Sequence, residues 1–113
     1  MRGKTMKTQE DALRIMARAR LALEKTYGER LCGVYLFGSY ARGEAQEDSD
    51  VDIAVVLDEI PHRFAEIERT GDLASDLTLE YGALVTFFFV PEMDFKQGRC
   101  AVHRAIKREG IAA

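Results

Sequence analysis

Apolar residues recur at helical spacing from about Thr8 to Tyr27, through Ala12, Ile15, Met16, Ala19, Ala22 and Leu23, and predict an amphipathic helix. Thr8 followed three residues later by Asp11 resembles a capping box, and Gly28 is a natural stop. Leu13 and Leu21 fall off this stripe; a wide buried face explains them better than a ridge for a partner. Val34–Phe37 is apolar on both faces, as a central strand should be, and Val51–Leu57 repeats that character, broken only by Asp52. Pro61–Tyr81 reads as a second helix, with Pro in its first turn and Phe64, Ile67, Ala74, Leu77 and Tyr81 in register. Gly71-Asp72 marks a point where it could kink. Gly82 closes that helix, Ala83–Val90 reads as a third strand stopped by Pro91, and Arg99–Glu109 reads as a last helix closed by Gly110. The order predicts a small α/β sandwich, helices packed on a mixed sheet, as a single domain over residues 1–113.

Composition narrows the class without choosing a function. The chain has 113 residues, 47% of them apolar, which is enough for a packed core and argues against a disordered or fibrous chain. Sixteen Lys and Arg against 19 Asp and Glu leave a net charge of −3, a poor balance for a general nucleic-acid binder, which must displace phosphate counterions. Cys32 and Cys100 are far apart and, with two His, form no zinc-ligand spacing. The absence of a disulfide framework predicts a reducing, cytoplasmic setting, and no apolar run is long enough for a signal peptide or a membrane span.

One segment departs from an ordinary core: Phe37-Gly-Ser-Tyr-Ala-Arg-Gly-Glu-Ala-Gln-Glu-Asp-Ser-Asp-Val-Asp-Ile-Ala-Val-Val56. A buried strand runs into Gly38-Ser39, where a short helical turn is expected to follow. Its backbone N–H groups and the Ser39 hydroxyl suit an anion, and Gly38 lets the backbone approach a ligand without a Cβ in the way. Arg42, three residues on, projects from the same side of that turn. Asp50 and Asp52 then stand at period two at the start of a strand, so both carboxylates face one way. Two like charges so placed are unfavourable unless a cation joins them, and hard oxygen donors of this kind suit Mg²⁺. Either element alone is usually structural. Their conjunction, Gly-Ser, ten residues, Asp-x-Asp, is expected by chance with a probability on the order of 10⁻³ in a chain of this length. A phosphate cradle opposite a metal-binding pair is an arrangement for phosphoryl or nucleotidyl transfer.

Gly38-Ser39-x10-Asp50-x-Asp52, with Ala41-Arg42-Gly43 inside it and Ser49 before the first Asp, resembles the signature of the minimal nucleotidyltransferases of the DNA polymerase beta-like superfamily. The element order agrees, so the resemblance covers most of the chain. It implies Mg²⁺ on Asp50 and Asp52 and ATP phosphates at Gly38 and Ser39, with Arg42 assisting. Small members of the family are commonly antitoxins of a helical HEPN toxin, and some silence it by transferring AMP from ATP to a tyrosine. The resemblance therefore implies a cognate HEPN partner, with no direct role for nucleic acid or membrane and with a homodimer or hetero-oligomer expected.

The active family carries a third carboxylate on the strand after the long helix, and alignment puts that place at Thr86, which can be neither an anionic ligand nor a base. Glu80 and Glu92 flank the strand as substitutes. The alternative function is thus a non-catalytic binding module that neutralises its partner by contact. Larger relatives add a helical domain after this core, whereas some 23 residues follow Val90 here, so the cleft is expected to need a partner or a second copy. The charges are also unevenly spread. Residues 44–52 hold five acids and no base, while 96–108 hold five Lys and Arg and no acid, read as a solvated helix face. His62 and His103 are expected at the surface, Cys32 and Cys100 as buried or inert thiols, and Phe87-Phe88-Phe89 as core aromatics on a strand that an exposed edge could turn into a docking site.

Overall fold

The computed structural model describes residues 8–113. Helix α1 spans Gln9–Tyr27 and a single 3-10 turn, Gly28–Arg30, follows it. Strand β1 is Leu31–Phe37, helix α2 Ser39–Arg42, strand β2 Val51–Leu57, helix α3 Arg63–Tyr81 and strand β3 Val85–Pro91. Helices α4 (Glu92–Gln97) and α5 (Ala101–Glu109) and a short strand β4 (Ile111–Ala112) complete the chain. The sheet order is β3-β2-β1-β4, with β2 parallel to β3 and the other pairs antiparallel. A parallel pair needs a crossover of a dozen or more residues, which α3 supplies. The mixed sheet expected from the chain order is therefore present.

Each face of the sheet has its own core because strand residues alternate in direction. Val34, Leu36, Val51, Ile53, Val55, Leu57, Val85 and Phe89 pack against α1 and α3. Ala54, Val56 and Val90 face Ile106 of α5, with Tyr35, Phe37, Phe88 and Phe95 partly buried around them. Both faces of β2 are thus covered, which is why its sequence is nearly all apolar. Asp52 is the exception, and it falls on the α5 side, two residues before Ala54.

Helix α1 forms as its pattern requires. Thr8 Oγ1 accepts from the Asp11 N–H at 3.1 Å, Asp11 Oδ2 accepts from the Thr8 N–H at 3.2 Å, and Gly28 caps the C-terminus. Ala12, Ile15, Met16, Ala19 and Leu23 are buried; Leu13 packs at the edge of the core, but Leu21 stands in solvent.

Several expectations are corrected. Helix α3 starts at Arg63, so Pro61 lies before it, and it runs through Gly71-Asp72 without a break. Leu77 and Tyr81 of the expected stripe pack on the core, but before them the inner face is Glu66, Thr70 and Leu73 instead of Phe64 and Ile67; Phe64 is 79% exposed. Glu66 can face inward because Tyr27 Oη donates to it at 2.7 Å and Arg69 Nε at 3.0 Å, so its charge is compensated. Strand β3 includes Pro91, at the sheet edge, where a missing N–H matters least. The expected last helix is present as α5, starting two residues later at Ala101, while α4 and β4 are additional elements that carry no periodic signal long enough to read. Of the two histidines, His62 is exposed but His103 is buried beside Phe88. Both cysteines lie at the surface, not in the core.

Candidate active site

The site is built where β1 ends and β2 begins. Phe37 is the cross-strand partner of Asp52, so the turn after Phe37 starts directly beside that carboxylate. Gly38 takes φ 79° and ψ −157°, a backbone region essentially reserved for glycine. A Cβ there would stand 2.5 Å from Asp52 Oδ2. The glycine is thus required twice, by its dihedrals and by the carboxylate against it. Ser39 opens α2, half-buried, and Tyr40 anchors that short helix in the core. Gln9 of α1 donates its side-chain amide to the carbonyls of Tyr40 and Ala41 at 3.0 and 3.1 Å, fixing the far end of α2. The chain returns through a turn that Ser49 closes, its hydroxyl accepting from the Gln46 N–H at 2.8 Å. Asp50 follows, exposed and just outside β2, and the Val51 N–H is held by the Leu84 carbonyl at 2.8 Å.

The parallel register of β2 and β3 places Thr86 directly beside Asp52. Thr86 Oγ1 donates to Asp52 Oδ1 at 3.0 Å, so the residue at the third-carboxylate position orients the second carboxylate. Burial pushes the Asp52 carboxyl above its ordinary range and the Asp50 charge adds to that, while the Thr86 hydrogen bond and Arg42 act against it. A half-buried acid with a like charge beside it is the electrostatic state a cation relieves. Neither flanking acid replaces Thr86. Glu80 is paired with Arg18 at 2.7 Å on the α1 side, and Glu92 follows β3 about 20 Å along the strand from Thr86. Among the described residues no group of three His, Cys, Asp or Glu side chains is gathered as a metal site. The two aspartates remain a fitting donor set for Mg²⁺, which takes one or two carboxylates and fills its shell with water and phosphate.

Arg42 points back toward Gly38, but it is not free. Its Nε donates to Glu44 Oε1 at 2.9 Å and its Nη1 to Glu109 Oε2 at 3.0 Å, and the Glu44 hydrogen bond is the largest cause of its raised pKa. The same Glu109 oxygen accepts from the Gly38 N–H at 3.3 Å. The sequence pattern places Glu109 only at the end of the last helix, and neither it nor Gln9 is foreseen at this corner. A signal existed: an acid at the last position of a helix opposes the helix dipole and is unfavourable without a partner.

The structure thus brings Gly38, Asp52 and Thr86 into contact, sets Asp50 alongside, and links Arg42 to Gly38 through Glu109. Asp52 and Thr86 lie on the α5 side of the sheet, where Phe37 and Phe88 are half-buried with 6.2 Å between ring centroids. No helix among the described residues is long and apolar enough to cross a membrane.

Comparison with known proteins gives the family. A protein of Methanocaldococcus jannaschii that carries the provisional name protein adenylyltransferase is 36% identical over 90 residues, covering 79% of this chain and 84% of its own. The protein adenylyltransferase MntA of Thermococcus cleftensis is 48% identical over 66 residues, 57% of this chain and 65% of its own, so the match spans just under two thirds of that relative. In fold, the chain resembles a structure of a tri-AMPylated Shewanella oneidensis HEPN toxin in complex with its MNT antitoxin, with a TM-score of 0.54, 19% identity and coverage of 89% of this chain and 70% of that one. Residues 17–111 match the family described as Nucleotidyltransferase domain. With its Gly-Ser turn set against an aspartate pair on this sheet, the chain belongs to the nucleotidyltransferase domain family.

Proposed function

We propose that this protein transfers AMP from ATP to a hydroxyl, a tyrosine by preference, on a HEPN-type toxin, and so acts as its antitoxin in the cytoplasm. The observation that carries this reading is the Gly38–Asp52 contact. It sets the backbone of the Gly-Ser turn directly against the Asp52 carboxylate, the closeness that a phosphate on one and a cation on the other would require. The adenylyltransferase names of the relatives and the AMPylated toxin beside the MNT antitoxin support the choice of substrate and partner.

In this reading Asp50 and Asp52 hold Mg²⁺, Gly38 and Ser39 receive phosphate, and Arg42 balances its charge. The metal supplies neutralisation of the phosphate charge that builds as the phosphorus–oxygen bond is exchanged. The chain's own part is placement. Thr86 fixes the orientation of the Asp52 carboxylate, Gly38 sets how close a phosphate can come, and Gln9 keeps α2 from shifting. Phosphoryl-type transfer depends largely on such positioning and charge neutralisation. Thr86 cannot accept the proton of the attacking hydroxyl, so β3 provides no base and turnover is expected to be slow.

That substitution favours a second reading, in which the fold neutralises its partner by contact alone. Incubating the protein with a HEPN partner encoded beside it, ATP and Mg²⁺, and recording the intact mass of both, separates the two. An AMP adduct on the partner that Asp50→Ala/Asp52→Ala abolishes supports transfer. Neutralisation that persists in the double variant without any adduct supports the contact reading instead.

A further inference from the structure

Glu109 ends α5 at a point where the main chain leaves little freedom. Gly110 packs so closely that a Cβ would collide with the Ile106 carbonyl, and one residue later Ile111 pairs with Leu36 of β1. The short β4 therefore ties the end of α5 to the strand that leads into Gly38. This carries the Glu109 side chain, only 16% exposed, into the corner between Gly38 and Arg42. There a single oxygen, Oε2, accepts from the Gly38 N–H at 3.3 Å and from Arg42 Nη1 at 3.0 Å. A backbone amide and a guanidinium converging on one anionic oxygen is the hydrogen-bonding pattern of a bound phosphate oxygen.

We infer that Glu109 is an internal competitor for the nucleotide, its carboxylate occupying the donors that a phosphate of ATP would use. The inference rests on the reading of Gly38 and Arg42 as phosphate-binding groups. Phosphate and carboxylate cannot share these donors, since each N–H points at one acceptor and both ligands are anionic. Nucleotide binding then requires Glu109 to swing out, and the measured affinity is the intrinsic one reduced by the fraction of molecules in which it has done so. Glu44, on the other side of the guanidinium, keeps Arg42 in place when Glu109 leaves.

The test uses the full chain and Glu109→Gln, which keeps size and hydrogen-bonding capacity but removes the charge. In the absence of nucleotide, the Gly38 amide resonance should shift markedly between wild type and variant; an unmoved resonance would show that the contact does not exist in solution and overturn the inference. Calorimetric titration with Mg-ATP, and separately with tripolyphosphate, should show Glu109→Gln binding both about tenfold tighter, the scale of one charge-assisted hydrogen bond. Binding that is equal or weaker in the variant, with a lowered melting temperature, would mean that Glu109 merely holds α5 and β4 in place. If the amide shifts yet neither protein binds ATP or tripolyphosphate, the nucleotide reading itself fails and the competitor role fails with it.

Discussion

Thr86 donates a hydrogen bond to Asp52 at 3.0 Å from the neighbouring position of a parallel strand pair, so the side chain standing where an acid would complete the site instead steadies the acid already there. Replacing Thr86 by Asp would put a third carboxylate some 4.8 Å across the ladder from Asp52. The expected outcome is Mg²⁺ affinity raised about tenfold or more by calorimetry, because three anionic donors then converge. Thr86→Val, close in shape but without the hydroxyl, should weaken Mg²⁺ binding and push the Asp52 carboxyl further up, as read from its carboxyl carbon resonance.

Gly38→Ala tests the closest approach in the site. The added methyl meets Asp52 Oδ2, and the φ of 79° is one that L-residues rarely adopt. Strain of about 1–3 kcal/mol is expected, visible as a lowered denaturation midpoint, together with loss of measurable ATP binding. A variant that binds ATP like the wild type would contradict the assignment of this turn to phosphate.

Glu66 provides a pH-dependent prediction away from the site. Burial alone would raise its pKa, but hydrogen bonds from Tyr27 and Arg69, with the Arg69 and Arg30 charges, hold it below the ordinary range. A carboxyl lowered on folding stabilises the fold above its unfolded pKa of about 4.3, and that contribution disappears as pH falls through the folded value. Glu66→Gln should therefore cost about 1–3 kcal/mol at pH 7 and progressively less as pH falls below about 4.3, as denaturant melts across that range would show.

Phe64 and Leu77 lie on the same helix and differ in what they bury. Phe64→Ser should change stability by no more than about 0.5 kcal/mol, since the ring is largely in solvent. Leu77→Ala, at 2% exposure against the sheet, should cost about 2–5 kcal/mol. Equal effects in thermal melts would contradict the observed helix face.

Helix α1 was legible because its cap, stripe and stop residues all act within a few positions of one another. The placement of Asp52 beside the Gly-Ser turn was legible because strand alternation fixes where it points once the strand is found, whereas Asp50, expected within the strand, falls just before β2. The first half of the α3 inner face was not, because an inward Glu66 makes sense only when Tyr27 and Arg30, 39 and 36 residues earlier, are known to join its neighbour Arg69 around it. Glu109 was hidden for the same reason: its partners lie 71 and 67 residues earlier. Strand β4 is two residues long, too short for any period, and owes its place to the pairing with Tyr35 and Leu36.

The ladder between β2 and β3 has a further consequence. Parallel strands hold facing positions in step through backbone hydrogen bonds, whatever side chains they carry, so position 86 behaves as a socket beside Asp52 that accepts different inserts. Whether the socket holds a hydroxyl or an acid alters the chemistry without disturbing α1, α3 or the sheet between them. In such a scaffold the charge beside Asp52 is set by a single side chain, while the backbone on either side of it stays in register.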